Sequence, residues 1–243
     1  LDELSMSLRD FRPWLWLPPK LAHDLSGGLL KLYTLFKDET PSAFEWQSLD
    51  WRGLHFRNPV GIAGGMDKDG DNLLDWQKVG AGFLEIGTVT PTPQFSNEGV
   101  IMGRDTQTES VWNRMGFPSE GARYVWAKLA QLQSELRVPV FVNIGKNRTT
   151  ENSQAHADYG TLLRQFANVA DVFVVNISSP NTEGLRDLFR PEYLHGFLAK
   201  IQAERERCTQ VPLLLKLSPD LDNASLQLTV RTALDCGFAG FVL

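Results

Sequence analysis

Six short apolar runs, separated by stretches of helical periodicity, constrain this chain more than any other feature. They occupy residues 58–65, 83–90, 139–145, 172–179, 212–218 and 240–243. Their hydrophobic residues follow one another almost without interruption. A half-exposed strand would alternate them with polar residues, so the pattern belongs to parallel strands covered on both faces. Between the runs, Val125, Leu129, Leu132 and Leu136 share one helical face within 119–136, and Leu226, Val230 and Ala233 do so within 222–236. Strand, helix and strand at this spacing predict repeated right-handed βα units.

Such units build either an open doubly wound sheet or a closed barrel. No Gly-x-Gly-x-x-Gly follows the first run, which removes the usual dinucleotide fingerprint of the open fold. The expected class is therefore α/β, a (β/α)8 TIM barrel. A complete barrel needs roughly 250 residues, whereas about 190 follow residue 50. The sequence thus predicts a barrel short of its last units, by about two.

Residues 1–46 have a different character and are expected to form a separate helical segment ahead of a barrel domain at 47–243. They hold Trp14, Trp16 and Trp46, three of the seven tryptophans, with Phe11, Tyr33, Phe36 and Phe44. Leu21, Leu25, Leu29, Leu32 and Phe36 recur at spacings of three and four, the period of an amphipathic helix. Pro18 and Pro19 suit its first turn, where a missing N–H costs least, and Gly27-Gly28 weakens it without necessarily ending it. A shorter helical piece is expected around 5–16. No window reaches the ~18 apolar residues of a spanning helix. There is no secretory leader pattern, and whether a targeting segment preceded Leu1 stays open.

Composition narrows the partners. A net charge of −5 and a pI near 5.4 give no basic stripe for nucleic acid. Cys208 and Cys236 show no CxxC spacing and no histidine cluster, so two reduced thiols and no metal are expected.

In βα barrels the reactive groups project from the C-terminal ends of the strands. The first run ends Ala63-Gly64-Gly65-Met66-Asp67-Lys68, the second Glu85-Ile86-Gly87-Thr88, the third Asn143-Ile144-Gly145-Lys146-Asn147, the fourth Asn176-Ile177-Ser178-Ser179-Pro180-Asn181, and the fifth Lys216-Leu217-Ser218-Pro219-Asp220. Small residues in the first would let a flat ligand approach the backbone. Asn143 and Asn176 each offer a donor and an acceptor, suited to the edge of a pyrimidine-like or isoalloxazine ring. Lys68 and Lys216 bring positive charge for an anionic reduced ring and an anionic substrate. A strand-end lysine such as Lys216 would equally suit Schiff-base chemistry in a lyase.

These segments, together with Asn113-Arg114-Met115-Gly116-Phe117, resemble the successive motifs of the dihydroorotate dehydrogenase family, in the family's order and nearly continuously over residues 50–243. The resemblance implies oxidation of dihydroorotate to orotate in de novo pyrimidine (UMP) biosynthesis, with FMN as hydride acceptor. It places Ala63, Gly64, Gly65, Met66, Asp67, Lys68, Thr88, Asn143, Asn176 and Lys216 against FMN. It gives dihydroorotate or orotate to Lys68, Asn113, Arg114, Met115, Gly116, Phe117, Asn176 and Asn181. Ser179 falls at the position of the general base, where soluble members carry cysteine and the membrane-associated, quinone-reducing class carries serine. That class has an N-terminal helical pair reaching a membrane quinone, with His23 and Arg104 matching quinone-site positions. It implies peripheral association with the cytoplasmic face of a bacterial cell membrane, or alternatively with the mitochondrial inner membrane. In two respects the chain departs from the pattern. Ala63-Gly64-Gly65 stands where the family usually has Ala-Ala-Gly, a change expected to lessen bulk beside the flavin. The loops that hold the FMN phosphate, which in the family follow the sixth strand, are expected to be absent.

Overall fold

The computed structural model describes residues 12–37 and 44–243. The expected helical piece at 5–16 lies mostly outside the described residues; its end forms a short 3-10 turn at Pro13–Trp16. Helix α1 (Pro19–Thr34) follows with proline in its first turn, as the sequence predicts.

A hairpin of β1 (Leu49–Trp51) and β2 (Leu54–Phe56) comes next. Then the βα units begin: β3 (Ile62–Asp67), α2 (Leu73–Lys78) and β4 (Leu84–Val89). A second hairpin, β5 (Met102–Asp105) and β6 (Ser110–Asn113), interrupts them before α3 (Ala122–Leu132). The remainder is β7 (Val140–Ile144), α4 (Ala155–Phe166), β8 (Val172–Asn176), α5 (Pro191–Cys208), β9 (Leu213–Lys216), α6 (Asn223–Asp235) and β10 (Gly240–Val242).

Strands β3, β4, β7, β8, β9 and β10 form one parallel sheet in that order, each paired with the next. An open doubly wound sheet reverses its order part-way. The unbroken order here is that of a barrel wall, six strands of it.

The two-residue period of each strand sorts its side chains between two layers. Leu84, Ile86, Val140, Val142, Ile144, Phe173, Val175, Leu213 and Leu215 meet Tyr159, Phe166 and Leu198 of the covering helices in the main core. Phe141, Val172, Val174 and Leu214 take the opposite face, with Phe56 from the first hairpin and Phe83 packed against them. Phe56 meets Phe83 and Phe141 edge-on, at 6.1 Å between centroids in each case, so this hairpin plugs the end of the wall where the strands begin. Two residues further along the same face stand Glu85, Asn143, Asn176 and Lys216.

Helix α1 approaches α2 and the turn after β3 along a narrow polar face. Gly27 passes so close to Asn72 that a Cβ there would sit 2.9 Å from its amide nitrogen. Thr34 is buried and donates its hydroxyl to Asp75. Lys68 Nζ donates to His23 Nε2 at 3.3 Å and to the Gly65 carbonyl at 2.8 Å. Burial, reinforced by the Lys68 charge, lowers the His23 pKa from its ordinary value of 6.5. The folded chain therefore resists a proton that the unfolded chain accepts, and stability falls as pH drops through that value. Thermal unfolding from about pH 7.5 down to about pH 5.5 is expected to show this loss, and His23→Gln to reduce the slope. Equal slopes in the two proteins would rule His23 out as its source.

Candidate functional site

The polar ends of β4, β7 and β8 are joined side chain to side chain. Asn143 Nδ2 donates to Glu85 Oε1 at 2.6 Å, while Thr88 Oγ1 donates to Asn143 Oδ1 at 2.8 Å. Asn176 Nδ2 in turn donates to Thr88 Oγ1 at 2.9 Å. Asn176 Oδ1 accepts from the Ser178 backbone N–H at 3.2 Å and from its hydroxyl at 3.0 Å. All five residues are buried. Polar groups out of water need partners, and each of these finds one on the neighbouring strand or its following loop. From the helix layer, Tyr159 donates its hydroxyl to the Asn176 carbonyl at 2.8 Å, which fixes the end of β8.

Two lysines flank this row. Lys216 ends β9 with its Cα paired to that of Asn176, and no carboxylate is paired with it among the described residues. Lys68 follows β3, half-buried, with its pKa lowered by burial against the opposing pull of Asp69, Asp24 and Asp67. Ala63, Gly64, Gly65 and Met66 line the end of β3 itself. Gly65 has φ +103 and open space where a Cβ would point. Asp67 is buried and engaged elsewhere: its carboxylate accepts from the backbone N–H groups of Asp71 at 2.7 Å and Asn72 at 2.9 Å, holding the turn into α2.

The loop 113–117 folds over the same rim. Gln94 donates to the carbonyls of Gly116 and Phe117 at 3.2 and 2.8 Å, and Asn97 to those of Arg114 and Asn181 at 3.0 and 3.1 Å. Asn181 Nδ2 donates to the Asn113 carbonyl at 3.2 Å. Met115 accepts at its carbonyl from Asn97 N–H. The structure thus brings loop 113–117 against the loop after β8, as their joint assignment to one ligand requires. Ser179 lies half-buried in that second loop, its Oγ accepting from Asn181 N–H at 3.2 Å. Thr182 Oγ1, three residues on, is buried with no hydrogen-bond partner among the described residues. Arg186 reaches the Ser178 carbonyl at 2.8 Å and the Asp220 carboxylate at 2.7 Å, tying this loop to the one after β9.

His23 also meets this region. Arg104 sits on β5, which packs against α1, the helix that carries His23. His23 reaches Lys68 directly. Sequence reasoning quoted Glu85 and Ser178 at strand ends without giving them a role, and passed over Asn97 and Tyr159. Of these, Glu85 carried a signal: a carboxylate inside a run of apolar residues in a doubly covered strand is costly unless it is paired.

The assembled rim presents backbone without side chains on one strand, amide N–H groups on two, and a lysine at each flank. That donor set suits a flat, electron-rich ring with an anionic companion.

The family model for dihydroorotate dehydrogenase matches residues 48–243. A protein of Acidithiobacillus ferrooxidans named dihydroorotate dehydrogenase (quinone) is 40% identical over 239 residues, covering 91% of this chain and 64% of its own length. One of Mycobacterium marinum with the same name is 42% identical over 190 residues, covering 78% of this chain and 51% of its own. The chain therefore spans between half and two-thirds of the length of these curated relatives. The crystal structure of the Eimeria tenella DHODH in complex with ferulenol superposes with a TM-score of 0.81 at 32% identity, over 92% of this chain and 65% of that one. The ligand-free form of the Eimeria enzyme gives 0.80, over 93% and 68%. With its wall of parallel strands, its polar rim and these matches, the chain belongs to the dihydroorotate dehydrogenase family.

Proposed function

We propose that this chain forms the greater part of a quinone-dependent dihydroorotate dehydrogenase that oxidises dihydroorotate to orotate in pyrimidine biosynthesis. The observation that carries the reading is the convergence of Lys68, Asn143, Asn176, Ser179 and Lys216 on one rim. FMN fits the donor set: Gly64 and Gly65 leave a flat approach, the Asn143 and Asn176 amides each keep an N–H beyond the one they spend on each other's network, and Lys216 can balance negative charge. When bound, FMN would supply the hydride-accepting ring.

The residues of the chain perform the remaining work. The Lys68 ammonium meets the substrate carboxylate, and Asn113, Asn176 and Asn181 fix the orientation of the pyrimidine. Ser179 Oγ takes the proton from the ring carbon beside the carbonyl. The adjacent carbon gives up hydride, and a carbon–carbon double bond forms between them. A serine hydroxyl is a weak base, so it needs somewhere to pass its own proton. The buried, unpartnered Thr182 hydroxyl in the same loop supports a relay there.

The second half-reaction is assigned to the N-terminal segment, 1–46, as a unit apart from the barrel domain. Along α1 the leucines face away from the sheet: Leu25 is 46%, Leu29 62% and Leu32 55% exposed, and Phe36, just past the helix, 85%. Among the described residues no helix is long and apolar enough to cross a membrane. An exposed leucine stripe of this length favours lying in the headgroup region, which suits peripheral attachment at the cytoplasmic face of a membrane. His23 and Arg104, on the packed pair α1 and β5, are then placed to meet a membrane quinone between that surface and the rim.

A positioned base contributes about 10²–10⁴-fold, so Ser179→Ala is expected to slow flavin reduction by dihydroorotate by that factor while orotate still binds. Stopped-flow absorbance measures the first and an orotate-induced spectral shift the second; undiminished reduction removes Ser179 from its role. Deleting residues 1–40 is expected to abolish quinone reduction yet leave dihydroorotate able to bleach the flavin. Quinone turnover by the truncated protein at the full rate would detach this segment from the reaction.

A further inference from the structure

We propose that Asn97 is a positioning residue that clasps loop 113–117 to the loop bearing Ser179 and so holds the base over bound substrate; the proposal rests on the substrate reading above. The side-chain amide of Asn97 has two hydrogens, and each meets a carbonyl of a different loop. Nδ2 donates to the Arg114 carbonyl at 3.0 Å and to the Asn181 carbonyl at 3.1 Å. Both partners are acceptors only, so the end of the side chain that faces them must donate twice. An amide nitrogen does this, whereas a carboxylate donates nothing and a hydroxyl donates once.

The two loops depend on this group unequally. Loop 113–117 has other anchors: the Asn97 backbone N–H donates to the Met115 carbonyl, Gln94 to the carbonyls of Gly116 and Phe117, and the Arg114 N–H to the Ile101 carbonyl at 2.8 Å. Among the described residues, the hydrogen bonds that join the loop after β8 to this assembly all involve Asn181. Its carbonyl accepts from Asn97, and its Nδ2 donates to the Asn113 carbonyl at 3.2 Å. The backbone N–H of the same Asn181 donates to Ser179 Oγ at 3.2 Å. Asn181 thus stands between the clasp and the base.

Gly116 is a second, independent observation. It has φ +73, and a Cβ there would lie 2.6 Å from Asn97 Oδ1. The substrate loop is bare where the amide lies against it. Asn97 and Asn181 are both half-buried, so water can replace their bonds when the loops part for substrate to enter and product to leave. None of the Asn97 bonds reaches a residue assigned to FMN, so the clasp belongs to the dihydroorotate half of the reaction.

The test compares the wild-type holoenzyme with Asn97→Ala, Ser179→Ala and the double variant. Asn97→Ala is expected to weaken orotate binding and to slow flavin reduction at saturating dihydroorotate, each by roughly tenfold for two hydrogen bonds lost at a half-exposed site. FMN content, Tm and the reoxidation of dithionite-reduced flavin by quinone are expected to stay close to wild type, which a general loss of structure would not permit. In the Ser179→Ala background, removing Asn97 is expected to leave the rate of flavin reduction nearly unchanged, because the clasp acts on that rate through the base. Undiminished reduction in Asn97→Ala, rate losses that combine independently in the double variant, or an equal loss in the quinone half-reaction each overturn the proposal. If Asn97→Ala does not fold, Asn97→Ser decides by the same readouts, since its one hydroxyl hydrogen serves at most one of the two carbonyls. A wild-type holoenzyme whose flavin is not bleached by dihydroorotate sinks the proposed function itself, whereas silent Asn97 variants of a reactive wild type sink only this inference.

Discussion

A parallel sheet covered on both faces leaves no water for the side chains inside it, and that constraint organises everything at the rim. One unpaired polar group in such a place costs about 1–3 kcal/mol. At the start of the strands the inner layer avoids the cost by being aromatic and aliphatic, with Phe83, Phe141, Val172, Val174 and Leu214. One layer further on, the same two-residue period brings Glu85, Asn143 and Asn176 to the same face, and the cost is avoided by linking them through Thr88. A polar site is possible there because the strands end, their loops close over it, and the buried groups satisfy one another.

The repeat was legible because parallel strands leave a strong mark. All six apolar runs became strands of one sheet, and the helical faces predicted within 119–136 and 222–236 became α3 and α6. The two hairpins were not. Strands β1 and β2 have three residues each, too few to display a period, and their turn uses Arg52 and Gly53 at positive φ in place of a more familiar Asn-Gly pair. Strands β5 and β6 have four residues each, mix polar and apolar side chains without a sustained period, and so read as loop; pairing with each other makes them strands.

At the site the sequence located the residues better than their engagements. Strand-end position brought Lys68, Asn143, Asn176 and Lys216 to one rim, since strand ends in this architecture converge by construction. It said nothing of where a carboxylate turns. Asp67 follows the glycines in sequence, yet its side chain caps the turn into α2. Gly64 was expected to lessen bulk beside a ligand, and the structure fills that room with Glu85. Both outcomes depend on contacts between strands that no single run records.

Helix α1 shows the same division between pattern and contact. Its leucines announce an amphipathic helix, and periodicity alone does not decide whether they face the domain or another surface. The structure turns them out, because the opposite face carries the residues that fit α2 and the turn leading into it: Gly27 for close approach to Asn72, Thr34 for Asp75, and His23 for Lys68. A helix held by two polar contacts, one close approach and little apolar burial is weakly tied to the domain beneath it. Its large apolar face is therefore free for another surface, while His23 keeps one end in register with the lysine at the rim. The contact that docks the helix thus also links it to a residue proposed to hold substrate.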